Sequence, residues 1–594
     1  MQRIKGAYQK DDAEADGFMV ARFPSHQSAT PSVLRLREKG LILAAAGWCR
    51  VAQKRHAGKP CLALLAEEVI NHRSGRDIFS FLEGQYAALW VNTEQRQMVA
   101  WVDRLGLLPA YFCSADGIAW FSTSAIVLAS VVKPPLDLHS VRTLFLGASP
   151  KSPHSLFEGV SRLGCGQHVE LRDGRCRVET TWTPYLQQAR YRDIGEAIDE
   201  GVERIQACCE GIRSDYRRPI MDLTSGLDSR LVVAGMHKAE GENLCVTVSG
   251  PPDNIDVRIA KRAAKQFGWK ILSFPPARNW GSQRWPLFKE GVGLSEGELT
   301  GNRIDEVLRV KKSIREAEGV AVTGGGGELY RGSLWRQEFF RIGRTSKLNI
   351  RRLIKYRFDY GASYESSLFN VEWYEDFITS EVARIEKIVD IAPDALNTAK
   401  LDAIFIWKTG GHVGRYAGAA MPVVLTLSPL VTQQLTEYAI RVPWRFRAQG
   451  ALVRGLISRL SPELAKLPTW YGSSAEPLTV RRPLELVKHG YAAAQALTRK
   501  ISHVATGRRL FRDPAATKYD PAPDVELTRV MLEEGFLSPD KLVSARLYNP
   551  EGLARFLKRA GQRGFGQHRQ LQVLVSVELL CRMTRTRPAG GSST

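Results

Sequence analysis

A chain of 594 residues is longer than one hydrophobic core normally serves, so it is expected to divide into at least two domains. With 44% hydrophobic and 24% charged residues it has a globular composition, which excludes a disordered or collagen-like chain. Lys and Arg number 83 against 62 Asp and Glu, and the net charge of +21 suits anionic partners such as nucleotides, nucleic acid or acidic lipid.

The first stretch, MQRIKGAYQKDDAEADGF, has no apolar core of a signal peptide, and no apolar run reaches the roughly 18 residues a membrane span needs. The nine cysteines form no C-x-x-C pair, which argues against a zinc ribbon and against a secreted disulfide framework. Free thiols and a cytoplasmic location, with no membrane span, are expected.

From the start to about Pro184 the chain reads as short apolar runs of strand length: LILAAAGW, YAALWV, MVAWVD, AWFST and HVELRDGRCRVETTW. Asp116-Gly117 and Asp173-Gly174 fall between such runs, and Asp-Gly readily takes the left-handed angles of a two-residue hairpin turn. After Tyr185 the apolar period becomes helical in ARYRDIGEAIDEGVERIQACCEGI, so a boundary is expected near 185–195, with domains over 1–188 and 189–594. RPIMDLT, LCVTVSG and GVAVTG then read as buried strands separated by the helical stretches SRLVVAGMHKAEG and DVRIAKRAAKQFG. That alternation predicts a parallel sheet with helices on both faces. Beyond Leu348 helices dominate, in SPLVTQQLTEYAIRV, GALVRGLISRL and LQVLVSVELLCRM, with a loose insertion expected over about 470–523. The basic runs after Arg341 and near the C-terminus read as solvated surface.

The sharpest local signal is MDLTSGLDSRLVVAG, from Met221. A buried strand ends at Leu223, the polar loop Thr224-Ser225-Gly226-Leu227-Asp228-Ser229 follows, and a helix begins near Arg230. Unpaired amides and the positive dipole end of a helix make such a loop an anion cradle. The hydroxyls of Thr224, Ser225 and Ser229 suit phosphate, and Gly226 lets the anion approach the main chain. Asp228 beside an anion is explained by magnesium or by helix capping; an ordinary strand-to-helix N-cap is the plainer alternative for the whole loop.

This segment resembles the S-G-G-x-D-S loop of the N-type ATP pyrophosphatases, and the order of the rest resembles the asparagine synthetase family. FLEGQYAALW followed by VDRLGLLPAYF resembles the strand pair ending D-R-x-G-x-x-P-L-Y-Y, here Asp103, Arg104, Gly106, Pro109 and Tyr111. SLFEGVSRLGCGQHVEL from Ser155 resembles the segment that closes the first domain. NIDVRIAKRAAKQFG carries Asp256 where an acidic residue opens the helix after the second strand. VTGGGGELYRG from Val322 resembles the second glycine loop, usually ending G-D-E-x-x-G-G.

The resemblance, from about Phe81 to at least Leu464, implies an α/β fold. An Ntn-hydrolase-like sandwich would be followed by a doubly wound parallel-sheet ATP-pyrophosphatase domain with a helical C-terminal part. It implies that Thr224, Ser225, Gly226, Asp228 and Ser229 bind the ATP phosphates with Mg²⁺, and that the strand carrying Val248 runs along the adenine. Gly324, Gly325, Gly326 and Gly327 would form the second wall, with Glu328 either a second magnesium ligand beside Asp228 or the base for an incoming amine. Arg230, Arg331, Lys408, Arg415 and Arg454 are the candidate cations for a departing pyrophosphate, Arg454 standing where the family carries a lysine.

The departures matter as much. Glutamine-dependent members begin Met-Cys-Gly, whereas this chain reads Met1-Gln2-Arg3, and a glutamine side chain is no nucleophile. Their glutamine-recognising segment is not recognisable, ILAAAGWCR standing roughly in its place, and Cys49 reads as a core thiol. The first domain is therefore expected to be a scaffold without glutaminase activity. Ser225 stands where glycine is usual in the first loop, and Gly327 where aspartate is usual in the second. The implied activity is an AMP-forming ligase joining a small-molecule or peptide carboxylate to ammonia or an amine, amide-forming or lactam- and macrolactam-closing; an inactive binding protein of the same fold is the alternative. No nucleic-acid partner is expected, tRNA modification being the weaker reading, and a homodimer is left open. All of this hangs on the turn from Leu223 into Arg230 being open to a triphosphate and close to Glu328.

Overall fold

The computed structural model describes residues 11–15, 18–22, 33–36, 40–51, 63–67, 82–146, 150–188, 191–240, 243–276, 281–299, 304–358, 365–369, 373–506, 522–536, 538–562 and 564–585. The Met1–Gly6 stretch lies outside them.

The first part is antiparallel. A six-stranded sheet runs in the order Arg175–Thr180, Gln167–Arg172, Gln97–Val102, Leu82–Asn92, Leu41–Val51, Val33–Leu36, and a three-stranded sheet joins Ile118–Ser122, Tyr111–Ala115 and Ser161–Arg162. The two Asp-Gly pairs make the turns expected of them: Asp116 and Gly117 have φ of 52° and 73°, Asp173 and Gly174 48° and 71°. Both joins are two-residue hairpins, Ala115 pairing with Ile118 and Arg172 with Arg175.

After the helix Ile194–Asp215 the chain enters a five-stranded sheet that is parallel throughout, in the order Lys270–Phe274, Cys245–Ser249, Pro219–Asp222, Val320–Val322, Thr426–Leu427. The first strand to form lies in the middle. The second and third were added on one side of it and the fourth and fifth on the other. The direction of winding therefore reverses between Pro219–Asp222 and Val320–Val322, and the loops leaving these two strands diverge around a crevice at their carboxyl ends.

The two parts share a core. Tyr111, Leu128, Phe145 and Phe157 from the first pack in one cluster with Trp285, Phe377, Leu574 and Leu580 from the second. The helix Asn397–Ala420 makes a close docking contact, because its glycines let the backbone of the 103–109 loop lie directly upon it. A Cβ on Gly410 would stand 2.4 Å from the Leu105 carbonyl oxygen, and one on Gly414 2.5 Å from that of Leu107. Arg162 fastens the seam, donating from Nη2 to the carbonyls of Gly106 (3.1 Å) and Gly410 (3.0 Å). Gln85 reaches across from the large sheet to accept the Ser428 amide at 2.6 Å.

The loose insertion expected over 470–523 is, in its described part, mostly a helix, Pro483–Thr506; residues 507–521 lie outside the described set. It escaped the apolar periodicity because it is mounted inside out. Leu484, Val487 and Tyr491 are 74%, 67% and 66% exposed, while Glu485 accepts the Ser474 amide and the His489 ring meets Tyr471. Among the described residues no helix is long and apolar enough to cross a membrane, and Cys113, Cys165, Cys176, Cys208, Cys245 and Cys581 are free thiols.

The Gly414 contact is against main chain, which cannot step aside as a side chain can. Gly414→Ala is expected to destabilise the protein by about 1–3 kcal/mol through overpacking. Gly490→Ala, where an added Cβ meets nothing within 4 Å, is expected to be neutral or stabilising by up to about 1 kcal/mol. Denaturant melts of the two variants, with limited proteolysis of the seam, check this; equal melting of both refutes the docking role.

Candidate active site

Two loops meet over the crevice. The first leaves the strand Pro219–Asp222 and turns at Thr224-Ser225-Gly226 into the helix Leu227–Glu240; the second leaves Val320–Val322 and runs through Gly324–Gly327 into the short 3-10 turn Gly327–Arg331. Their approach is main chain against main chain. A Cβ on Gly324 would lie 2.4 Å from the Ser229 nitrogen, and one on Gly327 2.5 Å from the Cβ of Asp228. The turn and Glu328 are thus neighbours in space.

Internal hydrogen bonds hold the first loop. The Ser225 amide and Oγ both donate to Asp256 Oδ1, at 2.8 and 2.5 Å, and Ser225 is almost wholly buried. Asp256 begins its own helix, capped by Asn254, and so ties the loop to the next βα unit. The Thr224 and Ser229 hydroxyls pair at 2.8 Å, Ser229 Oγ accepts the Thr224 amide at 3.1 Å, and the Gly226 amide donates to Thr224 Oγ1 at 3.2 Å. Each hydroxyl carries one proton and the Thr224–Ser229 pair spends one of its two, so a single O–H of the pair is left to donate to an anion, whereas the Ser225 proton is committed to Asp256. The first-turn amides of Leu227–Glu240 have no intrahelical carbonyl to bond and open toward the same crevice.

Charged groups crowd the mouth. Asp228 takes both its oxygens to one guanidinium: Arg331 Nε donates to Oδ1 at 3.0 Å and Nη2 to Oδ2 at 2.7 Å. Burial works against the Arg331 charge, but the hydrogen bond and charge of Asp228, with Glu328 added, raise its pKa above the ordinary arginine value. Burial and then the Asp228 charge raise the Glu328 carboxyl, with Arg331 and Lys408 opposing. Lys408, from the Asn397–Ala420 helix, is brought down to about 8 by burial and then by repulsion from Arg357 and Lys151. Arg357 itself has a lowered pKa through burial and the nearby Arg336 and Arg331.

Three of the expected cations stand elsewhere. Arg230 is fully buried and donates to the carbonyls of Leu467 (2.7 Å) and Pro468 (2.9 Å). Arg454 donates to the carbonyls of Ser474 (2.5 Å) and Glu476 (3.1 Å), so both arginines fasten the 467–476 segment. Arg415 is buried at the seam between the two parts, paired with Glu298 and bonded to the Pro150 carbonyl. Each cation has found backbone acceptors or a buried acid, a destination that local sequence does not encode. Val248 is buried in the core cluster, so its side chain is not available to a ligand, whereas Ser249 at the end of the strand is exposed. Lys408 and Arg331 remain by the loops. Asp256, noted from the sequence only as a helix opener, joins the site, and so does Arg357, which closes the basic run after Arg341 expected to be solvated surface but is largely buried beside Arg331 and Glu328.

Asp228 is not free to hold a magnesium ion, which leaves Glu328 as the one carboxylate of the expected pair without a side-chain hydrogen bond. Magnesium in nucleotide sites takes one or two free carboxylates with the phosphates. Here both Asp228 oxygens lie on Arg331, Gly327 offers no donor, and among the described residues no cluster of three or more His, Cys, Asp or Glu is placed to hold a metal.

Residues 66–183 match the family model of a glutamine amidotransferase domain. The first part of the chain is therefore similar to glutamine amidotransferases, over the antiparallel sheets that dock on the parallel one. Comparison with curated proteins returns no match.

Lys408 carries a testable cost. Its folded pKa of about 8 lies below the ordinary 10.5, so between those values the unfolded chain binds more protons and stability rises with pH. Below about pH 8 the full penalty of burying the charge is present. Lys408→Met is expected to melt a few degrees above wild type at pH 7, with the gap closing as pH climbs toward 10.5. Paired thermal melts across that range check it; a gap that is absent or widens with pH refutes it.

Proposed function

We propose that the chain is an asparagine synthetase-like, AMP-forming amidoligase in which an Ntn-type sandwich lacking glutaminase activity supports an ATP-pyrophosphatase domain. The observation that carries this reading is the meeting of the Thr224–Ser229 and Gly324–Glu328 loops over the crevice where the parallel sheet reverses its winding. A match to glutamine amidotransferases ahead of that sheet supports the two-part plan.

In this reading the amides of the Leu227–Glu240 first turn, with the one O–H that the Thr224–Ser229 pair leaves over, hold the β- and γ-phosphates of ATP. Gly324 to Gly326 give the substrate access along the second wall. A carboxylate oxygen of the acyl substrate bonds to the α-phosphorus as the bond from that phosphorus to the pyrophosphate oxygen breaks, the electron pair leaving with pyrophosphate. Arg331 and Lys408 balance the negative charge that grows on the leaving group. Ammonia or an amine then attacks the acyl carbon, passes a proton to Glu328, and AMP departs. A carboxyl with a raised pKa is the better base for that proton. Magnesium enters no step.

Exchange of labelled pyrophosphate into ATP, driven by a supplied carboxylic acid, tests the adenylation half. Calorimetry of ATP binding removes the dependence on knowing the acid. Glu328→Gln is expected to keep exchange within about threefold while amide formation falls roughly 10²–10⁴-fold. Exchange is expected to fall as pH rises through about 8, where Lys408 loses its proton, and Lys408→Arg to abolish that fall because arginine stays charged. A protein that binds no ATP sinks the proposal.

A further inference from the structure

Two departures from the second-loop pattern lie on one short turn. Where G-D-E-x-x-G-G is usual, the chain reads Gly327 in place of the acid and Arg331 in place of a glycine. The structure shows why they belong together. With the loops this close, a side chain on residue 327 would run into Asp228: its Cβ would lie 2.5 Å from that residue's Cβ and 2.6 Å from its Cγ. The acid is therefore sterically excluded from 327. The arginine gained four residues later reaches the carboxylate that remains, gripping both oxygens of Asp228 at 3.0 and 2.7 Å.

We infer that Arg331 does at this site what a divalent cation does elsewhere: it neutralises Asp228 and binds the phosphate tail directly, so that nucleotide binding needs no metal held by the protein. This rests on the reading above that the loop pair binds a triphosphate. The guanidinium has five N–H donors, and the pair with Asp228 uses Nε and one N–H of Nη2. The second N–H of Nη2 and both of Nη1 are left for phosphate oxygens, so Arg331 can keep its acid and still hold the ligand. A planar fork of fixed charge suits phosphate in this double role as lysine would not. The balance of charge agrees. Arg331, Arg357 and Lys408, with Arg336 beside Arg357, outnumber Asp228 and Glu328, so positive charge is in excess before any ligand arrives. The pair is partly open, its side chains 30% and 19% exposed, so a ligand in the crevice can reach it.

The test is isothermal titration of the full-length protein with ATP, and separately with inorganic pyrophosphate, in buffer containing magnesium and in buffer containing EDTA. Wild type is expected to bind both ligands in EDTA within about threefold of its affinity with magnesium. Arg331→Gly is expected to weaken binding in EDTA by roughly 10- to 100-fold, the loss of one or two charge-assisted hydrogen bonds, and to regain part of it with magnesium because Asp228 is freed to ligate the ion. Arg331→Lys is expected to fall between, keeping charge but losing the fork. Wild-type binding that strengthens tenfold or more with magnesium overturns the inference while leaving the proposed function standing. Wild type that binds ATP in neither buffer overturns the proposed function itself.

Discussion

The site depends on one close approach of backbones. Gly324 lies so near the start of the Leu227–Glu240 helix that a methyl group there would meet the Ser229 nitrogen at 2.4 Å. Because no side chain intervenes, two loops that begin about a hundred residues apart in sequence form a single polar floor over the reversal point of the sheet. Their proximity then decides the electrostatics. Asp228 and Arg331 are brought into contact with Glu328 near them in a half-buried space, where charges interact more strongly than in water. The raised pKa of Glu328 and the strongly held proton of Arg331 are consequences of that confinement.

A second constraint, the seam between the antiparallel and parallel parts, bears on the same site through the Asn397–Ala420 helix. Its Gly410 and Gly414 receive the 103–109 loop, and Lys408, half a turn before Gly410, faces Glu328. On the same side of the helix Lys151 of the first part pairs with Glu381 at 3.2 Å and contributes to the low pKa of Lys408. A part of the chain similar to glutamine amidotransferases thus adds to the positive charge that Lys408 meets at the crevice.

What the sequence disclosed follows from the range of each interaction. Strands buried on both faces, such as Pro219–Asp222 and Cys245–Ser249, read as unbroken apolar runs and were legible, as were the Asp-Gly hairpins, whose signal is two residues long. The edge strand Lys270–Phe274, only half-buried, and the two-residue strand Thr426–Leu427 carry too little pattern to stand out. Both loops over the crevice were legible because their glycines and hydroxyls are a local signal. The fates of the long cations were not: Arg331 meets Asp228 across 103 positions and Arg230 meets the Leu467 carbonyl across 237, distances at which only the finished fold selects a partner. The Pro483–Thr506 helix was missed for a different reason, since its apolar residues face outward and its polar face meets the protein.

The departures from pattern also argue about whether the crevice is a working site or a relic. A site losing its role sheds functional groups one by one, and each loss leaves a hole or an orphaned charge. Here Ser225, where glycine is usual, spends its amide and its hydroxyl on Asp256 and braces the loop against the next helix. Gly327 removes an acid that the Asp228 side chain would have blocked, and Arg331 supplies the positive charge that the remaining acid requires. Each change is matched by a partner that satisfies it, in a place where an unpaired carboxylate or an unsatisfied amide costs about 1–3 kcal/mol or more. Compensation of this kind keeps the crevice polar, charged and rigid, which a core repacked after loss of function would have no physical reason to preserve.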